Sequence, residues 1–173
     1  MVREKTISLN LRARENVLWS GSDGYLGAFL TNNRFSVIST SSTTWKTFSL
    51  KTDEAEKGVV SLSPYMALLV TENSAIAFNT KANQFVEVQF PIYDKLLATK
   101  VGKYVAVVIT SSRVFGLAAE SSNFTNIDLR TRETLKDIKI TSSKAIIHTS
   151  DRLLTFKASH STWSEHRLDW QKL

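Results

Sequence analysis

The sequence has no cysteine and only six glycines and two prolines among 173 residues. Without cysteine there is no disulfide, no thiolate nucleophile and no cysteine metal site. The few glycines never form the G-x-G-x-x-G pattern of a phosphate-binding loop. No apolar run approaches the roughly 20 residues of a membrane helix. Met1–Lys5 leads into a strand pattern instead of the apolar segment of a secretory signal, so we expect a cytoplasmic protein without a membrane span.

Signals of catalysis are also missing. The three histidines, His148, His160 and His166, have no third ligand at a metal-binding spacing. No segment has the form of a nucleophile elbow. We therefore expect a protein that is not an enzyme and that holds no metal and no cofactor.

A repeat of about forty residues dominates the chain. Its anchor is a threonine that ends an apolar run, at Thr31, Thr71, Thr110 and Thr149, with spacings of 40, 39 and 39 residues. Fourteen residues after each anchor stands an aromatic side chain: Trp45, Phe85, Phe124 and Trp163. Self-similarity at this period is the signature of a repeat architecture.

Each repeat contains four short runs without helical periodicity. The run before the anchor is apolar throughout, as in Val105–Ile109, which is typical of a strand covered on both faces. The last run alternates, as in Phe85–Phe90, which is typical of an outer strand with one face in water. Four strands in forty residues predict an all-β fold of β-propeller blades, each a four-stranded antiparallel sheet.

The predicted domain spans residues 1–173 as a single propeller unit. It opens with a lone outer strand at residues 6–11, because Ser8–Asn16 (SLNLRAREN) closely matches Asn126–Thr134 (NIDLRTRET). The four blades follow at residues 17–50, 59–90, 97–129 and 137–168. A β-sandwich or barrel built from the same hairpins is the alternative fold.

The blades resemble those of WD40-like and quinoprotein-like propellers. The similarity covers residues 6–168 and rests on spacing and on segments such as Ala77–Val88 (AFNTKANQFVEV). The Gly-His and Trp-Asp pairs of WD40 blades are absent, and so is the tryptophan-docking motif of quinoprotein blades, so no quinone cofactor is carried over. The resemblance implies a scaffold that binds partners on its flat faces, although fold alone assigns no function.

Closure of the ring is an open question in the sequence. The last blade already has its own outer strand, so the opening strand is not needed to complete it. Two copies could form an eight-bladed ring as a homodimer, or further blades could come from elsewhere. A compact four-bladed monomer is the third arrangement.

The candidate site is a ring of arginines on the face that carries the anchor threonines. Hairpin tips and blade connections should place seven of them there: Arg34, Arg113, Arg152, Arg12, Arg14, Arg130 and Arg132. With a net charge of +6, such a ring could bind a protein partner or an acidic or phosphorylated ligand. Alternatively, these arginines pair with acids in the same loops and only solubilise the face: Glu15, Asp53, Glu54, Glu56, Glu133 and Asp151.

Two function classes follow. The first is a non-enzymatic scaffold that engages a protein partner through this basic face. The second is a lectin-like or small-ligand-binding propeller with sites between the blades, for which Trp45 and Trp163 would be sugar platforms. Packing between blades is the competing role of these aromatic residues.

Overall fold

A computed structural model describes residues 7–51 and 53–168 of the chain. In this part of the chain sixteen β-strands form four separate four-stranded antiparallel sheets, in sequence order within each sheet. Blade one contains β1 (Val17–Asp23), β2 (Leu26–Thr31), β3 (Arg34–Ser39) and β4 (Lys46–Ser49). Blade two contains β5 (Val59–Ser63), β6 (Met66–Val70), β7 (Ser74–Asn79) and β8 (Gln84–Gln89).

The second half of the chain repeats this arrangement. Blade three contains β9 (Leu96–Val101), β10 (Val105–Thr110), β11 (Arg113–Ala118) and β12 (Thr125–Asp128). Blade four contains β13 (Leu135–Ile140), β14 (Lys144–Thr149), β15 (Arg152–Lys157) and β16 (Thr162–Arg167). The predicted fold of four four-stranded blades is confirmed.

The core lies between neighbouring blades. One hydrophobic cluster joins blades one and two, a second joins blades two and three, and a third joins blades three and four. Both faces of the middle strands are used, so every residue of β6, β7 and β10 is buried. This explains why their sequences are continuously apolar, whereas the outer strands β8 and β16 have largely exposed residues.

The free face of blade four differs from the others in chemistry. Its residues occupy positions whose counterparts in blades one to three are apolar and lie in the clusters between blades. In blade four these positions hold Lys144, Ile146, His148, Leu153 and Thr155, none of which is fully buried. The opposite face, with Ala145, Ile147, Leu154 and Phe156, packs against blade three. Blade four therefore has one apolar face and one largely polar face.

The predicted outer strand at residues 6–11 is not formed. Thr6 lies outside the described residues, and residues 7–12 have no strand assignment. An outer strand must pair with the third strand of its own blade, and no strand in residues 7–51 or 53–168 lies there to pair with it. The segment nevertheless keeps one contact of a preceding blade, because the Asn10 carbonyl accepts a hydrogen bond from Arg34 Nη2 at 2.8 Å.

The described residues include no helix that is long and apolar enough to span a membrane.

Candidate functional site

Antiparallel blades place their turns on two opposite faces. In each blade, the tip between the second and third strands and the connection to the next blade lie on one face. We call it the anchor face, because the four anchor threonines lie at these tips. The turns between the first and second strands and between the third and fourth strands lie on the opposite face. In all four blades the anchor threonine hydroxyl accepts a hydrogen bond at 3.1 Å from the backbone N–H three residues later. The threonine thus closes each hairpin tip.

The connections on the anchor face share one four-residue turn. Its sequences are Arg12–Glu15 (RARE), Pro91–Asp94 (PIYD) and Arg130–Glu133 (RTRE), and the described residues Lys51, Asp53 and Glu54 of the second connection make the same contacts. The N–H of the fourth residue donates to the carbonyl of the first, at 2.9 to 3.3 Å. The third residue has a positive φ in every copy: Arg14 62°, Asp53 69°, Tyr93 71° and Arg132 67°. The fourth residue is always acidic, and in three turns its side chain also accepts the N–H of the first residue.

In blade one the acidic side chain of the turn holds a buried ion pair. Glu15 accepts hydrogen bonds from Arg34 Nε at 2.5 Å and from Arg34 Nη2 at 2.8 Å. The Thr31 hydroxyl donates to the same carboxylate at 2.7 Å. Glu15 and Arg34 are each only 6% exposed. Every oxygen of the carboxylate is therefore satisfied in the interior, as a buried charge requires.

Blade four repeats this arrangement with other residues. Glu133 accepts from Arg152 Nε and Nη2, both at 3.0 Å, and from Thr149 at 2.6 Å. Arg152 also pairs with Glu165 and donates to the Asp128 carbonyl at 2.6 Å. The carbonyl of Asp128 thus has the role that the Asn10 carbonyl has in blade one.

These ion pairs shift the acidity of their members. The hydrogen bonds from Arg34 lower the pKa of Glu15 from 4.5 to about 2 against the opposing effect of burial. Burial would raise the pKa of Glu133, but the bonds from Arg152, the Arg130 N–H and Thr149 outweigh it and lower that pKa. Both carboxylates are therefore ionised at neutral pH.

Blades two and three lack the complete set of a turn acid bonded to both an arginine and the anchor threonine. In blade two, Ser74 replaces the arginine and bonds the anchor Thr71, while the turn acid Glu54 accepts the Lys51 N–H. In blade three, Asp94 accepts from Thr110 at 2.6 Å and from Ser112 at 2.7 Å. The arginine of that blade, Arg113, pairs instead with Asp128 at 2.8 Å on the surface.

The structure changes the position expected for two of the seven candidate arginines. Arg34 and Arg152 are buried in ion pairs, so they are not part of an accessible basic ring, and their role in this structure is to join a hairpin tip to a connection. The other five remain on the anchor face. Arg12, Arg14 and Arg132 are exposed, Arg113 is half-buried in its pair with Asp128, and Arg130 is half-buried 3.7 Å from Glu165.

Ile92 and Tyr93 are the anchor-face residues that sequence reasoning missed. They occupy the two central positions of the third connection turn and are 84% and 95% exposed. Tyr93 also lines a groove of about 520 Å³ with Lys57, Asn73, Lys95 and Leu96 among its walls. Comparison of the four turns in the sequence could have found this pair, because only here are both central residues large and apolar. The equivalent positions in the other turns hold Ala-Arg, Thr-Asp and Thr-Arg.

Further exposed apolar residues lie where the first strands leave the connections. They are Val17 and Leu18 of β1, Val59 of β5, and Leu96 and Leu97 of β9, all more than a third exposed. Because these strands start on the anchor face, the residues add exposed apolar surface at that end of their blades.

The four aromatic residues fourteen positions after the anchors pack inside the fold. Phe85, Phe124 and Trp163 lie against the three clusters between blades, and Trp45 meets Phe29 with ring centroids 5.1 Å apart. All four are half-buried. This packing fits a structural role for these residues.

In residues 7–51 and 53–168 no group of three or more His, Asp or Glu side chains is arranged to hold a metal ion.

The fold is similar to that of known propeller proteins. The crystal structure of HIRA residues 644–1017 matches with a TM-score of 0.52 and 12% identity, over 88% of this chain and 55% of that one. Prp20p from Saccharomyces cerevisiae matches with a TM-score of 0.49 and 5% identity, over 85% and 46% of the two chains. Hsv2 from Kluyveromyces lactis matches with a TM-score of 0.46 and 12% identity, over 87% and 60%.

These comparisons concern the fold and not the function. No protein-family model matches the chain, and no curated protein matches it. The chain spans about half the length of the structures it resembles. Together with the four repeated sheets, the similarity to the HIRA fragment shows that the chain has the fold of β-propeller blades in four repeats.

Proposed function

We propose that this chain is a non-enzymatic binding module that engages a protein partner through its anchor face. The observation that carries the proposal is the pair Ile92 and Tyr93, two large apolar residues that are 84% and 95% exposed. Large apolar and aromatic side chains in such positions are typical of interaction sites, because exposing them to water has no benefit for the fold.

The backbone supports this interpretation. Tyr93 has a φ of 71°, in the left-handed region that disfavours non-glycine residues by about 1 kcal/mol or more. Backbone strain of this kind concentrates at functional sites. The turn is closed by a hydrogen bond from the Asp94 N–H to the Pro91 carbonyl at 3.0 Å, so the two side chains are presented on an ordered turn.

The surroundings define the chemistry of the partner. Val59, Leu96 and Leu97 add exposed apolar area on the same face, and Arg12, Arg14 and Arg132 add exposed positive charge. Arginine and aromatic residues are enriched in protein interfaces, while the charged rim steers association. The partner expected here has an apolar pocket for Ile92 and Tyr93 and acidic groups around it.

Site-specific photo-crosslinking tests the proposal. A benzoylphenylalanine at position 93 is expected to form a covalent adduct with one protein in the cells that make this chain. Glu87 is a control position, because it is exposed in the middle of the outer strand β8, away from the anchor face. Adducts of the same kind from both positions would contradict the proposal.

A binding measurement with the purified adduct partner completes the test. Ile92→Asp is expected to raise the dissociation constant at least about tenfold, because it places a charge in an apolar contact. This is a loss of about 1.4 kcal/mol of binding free energy. Its thermal unfolding should be unchanged because the side chain is exposed. An unchanged dissociation constant would show that the anchor face is not the site.

Ring closure by a second copy would use a different surface. It would bring the free face of blade four against blade one of the other copy. Lys144, His148 and Thr155 occupy that face at positions that are apolar in the other blades, so little apolar area would be buried there. We therefore propose a different protein as the partner. A solution mass near 19.4 kDa is expected, and twice this mass would support the homodimer instead.

A further inference from the structure

A row of three tyrosines crosses the face opposite the anchor face. Tyr25, Tyr65 and Tyr104 each stand six residues before the anchor threonine of their blade, at the turn between the first two strands. The Tyr25 and Tyr65 rings are 5.6 Å apart, and the Tyr65 and Tyr104 rings are stacked at 5.0 Å. The fourth blade has Ser143 at this position. We call this surface the tyrosine face.

Two lysines lie over the ring faces of the row. Lys103 Nζ is 5.6 Å from the ring centre of Tyr65 and 5.2 Å from that of Tyr104. Lys81 Nζ is 5.3 Å from the ring centre of Tyr104 and also pairs with Glu120. Cation–π contacts of this kind hold the ammonium groups beside the tyrosines.

The neighbouring Tyr104 phenol is the main cause that raises the pKa of Tyr65 above its usual value of 10, so the Tyr65 hydroxyl is protonated in neutral solution. A protonated phenol can donate a hydrogen bond to an anion. The row therefore combines hydrogen-bond donors with positive charge.

The tyrosine face has more positively charged than negatively charged residues. Its turns and the strand ends beside them have five lysines, at positions 46, 81, 103, 144 and 157, against the two acids Asp23 and Glu120. Two shallow grooves of about 270 and 260 Å³ flank the row, and Lys81 lines both. Tyr25 and Tyr65 line the first groove, and Tyr104 lines the second.

We propose that the tyrosine face binds an extended acidic segment of a partner protein, with Asp or Glu side chains that meet Lys81 and Lys103 along the row. The complementary charge and the phenol donors fit carboxylates. This surface is distinct from the anchor face, so the inference does not depend on the function proposed above.

The geometry favours a peptide over single-stranded nucleic acid. Stacking of bases requires free ring faces. Here Tyr65 and Tyr104 stack on each other, with an angle of 14° between their planes, and Lys103 lies over both. The facing ring surfaces of this pair are therefore not free to stack on a base.

Fluorescence anisotropy with a labelled oligoglutamate peptide tests this proposal. Lys81→Glu combined with Lys103→Glu is expected to weaken binding at least about tenfold. The matched control is Lys51→Glu combined with Lys136→Glu, which changes the net charge equally at exposed positions away from the row and should weaken binding less than about twofold. Equal losses in both double variants would overturn the proposal, because net charge alone would then explain binding.

A further variant and a competing probe separate the role of the tyrosines from that of the charges. Tyr25→Ala removes a ring that is 54% exposed, so the fold is expected to persist while oligoglutamate binding falls severalfold. Unchanged binding of this variant would overturn a role for the row. An oligothymidylate of the same charge is the competing probe. If it bound more tightly than oligoglutamate and lost that binding in Tyr25→Ala, the surface would be a nucleic-acid site and the proposal would be wrong.

Discussion

Glu15 and Arg34 are nineteen residues apart in sequence, but Arg34 Nε lies 2.5 Å from Glu15 Oε1 in the fold. This ion pair joins a connection turn to a hairpin tip. Glu133 and Arg152 repeat the same pair with the same separation in sequence. Because all four side chains are buried, the two pairs act in the interior of the anchor face and not on its surface. Their contribution is to fix the turn that precedes each of these blades.

Arg34→Met is expected to destabilise the protein strongly. The variant leaves the Glu15 carboxylate buried without its cation, which typically costs about 3 to 5 kcal/mol. Urea unfolding followed by circular dichroism measures the loss. Arg12→Met is the control, because Arg12 is exposed and only its backbone contacts Glu15, so we expect a change within about 0.5 kcal/mol. Equal effects of both substitutions would contradict the structural role of the pair.

Stability is expected to fall in acid. The pKa of Glu15 is lowered from 4.5 to about 2 in the folded state, which corresponds to about 3 kcal/mol of stabilisation. A carboxylate with a lowered pKa stabilises fully above its unfolded pKa and loses this effect as the pH falls through its folded pKa. The decline should therefore lie between about pH 4.5 and pH 2, with Glu133 contributing in the same direction.

Thermal unfolding measured across this pH range checks the expectation. Glu15→Gln should be less stable than the natural protein at pH 7 and should lose less stability on acidification. A variant with the same acid dependence as the natural protein would show that other carboxylates cause the decline.

Gly116→Ala is expected to destabilise the junction between blades three and four. An added Cβ would lie 2.8 Å from the Phe156 ring and 2.9 Å from the Trp163 ring. Both rings are packed in the junction, so overpacking should cost about 1 to 3 kcal/mol. Gly27→Ala is the matched control, since its nearest neighbour is Ile38 Cγ2 at 3.4 Å. In urea unfolding we expect it to be neutral or mildly stabilising, and a loss as large as that of Gly116→Ala would contradict the packing argument.

Tyr93→Asn should weaken binding to the partner without lowering the stability of the fold. Asparagine tolerates the left-handed backbone better than tyrosine, so the free energy of unfolding should be unchanged or raised by up to about 1 kcal/mol. Binding to the partner found by crosslinking should fall at least about tenfold, because the exposed ring is lost. Denaturant unfolding and isothermal titration give the two quantities. A variant that binds as well as the natural protein would remove Tyr93 from the interface.

Making the free face of blade four apolar is expected to cause self-association. The triple variant Lys144→Met, His148→Leu and Thr155→Ala restores the kind of residue that blades one to three have at these positions. Buried apolar area of this kind drives blade packing, and an exposed apolar sheet face promotes aggregation. Light scattering should show a larger mass than that of the natural protein. An unchanged mass would indicate that this face is blocked in another way.

Most of the fold could be predicted from the sequence because the blades repeat. The anchor threonines close four equivalent tips, so their spacing gave the blade register. The N-terminal strand was wrong for an instructive reason: the match between residues 8–16 and 126–134 reflects the shared turn and the buried glutamate. A strand also needs a neighbour to pair with, and a local sequence match does not reveal whether one is present.

The site was less accessible to sequence reasoning. Charge alone did not decide whether Arg34 and Arg152 form a basic ring or pair with nearby acids, whereas comparison among the repeats would have singled out Glu15 and Glu133 as their partners. Blades one and four have both an arginine three residues after the anchor and a glutamate sixteen before it, and blade two has neither. The tyrosine row was visible as three tyrosines at one offset. That their rings stack across blades is a tertiary property, which the sequence does not show.

The connection turn separates what holds the anchor face together from what that face presents. Hydrogen bonding uses the first and fourth residues, while the two central residues differ in every copy: Ala-Arg, Thr-Asp, Ile-Tyr and Thr-Arg. If the anchor face is the binding surface proposed above, substitution at the central pair is expected to change what the protein binds while the hydrogen bonds of the turn remain. Two residues per turn would then be enough to give the same blades a different binding specificity.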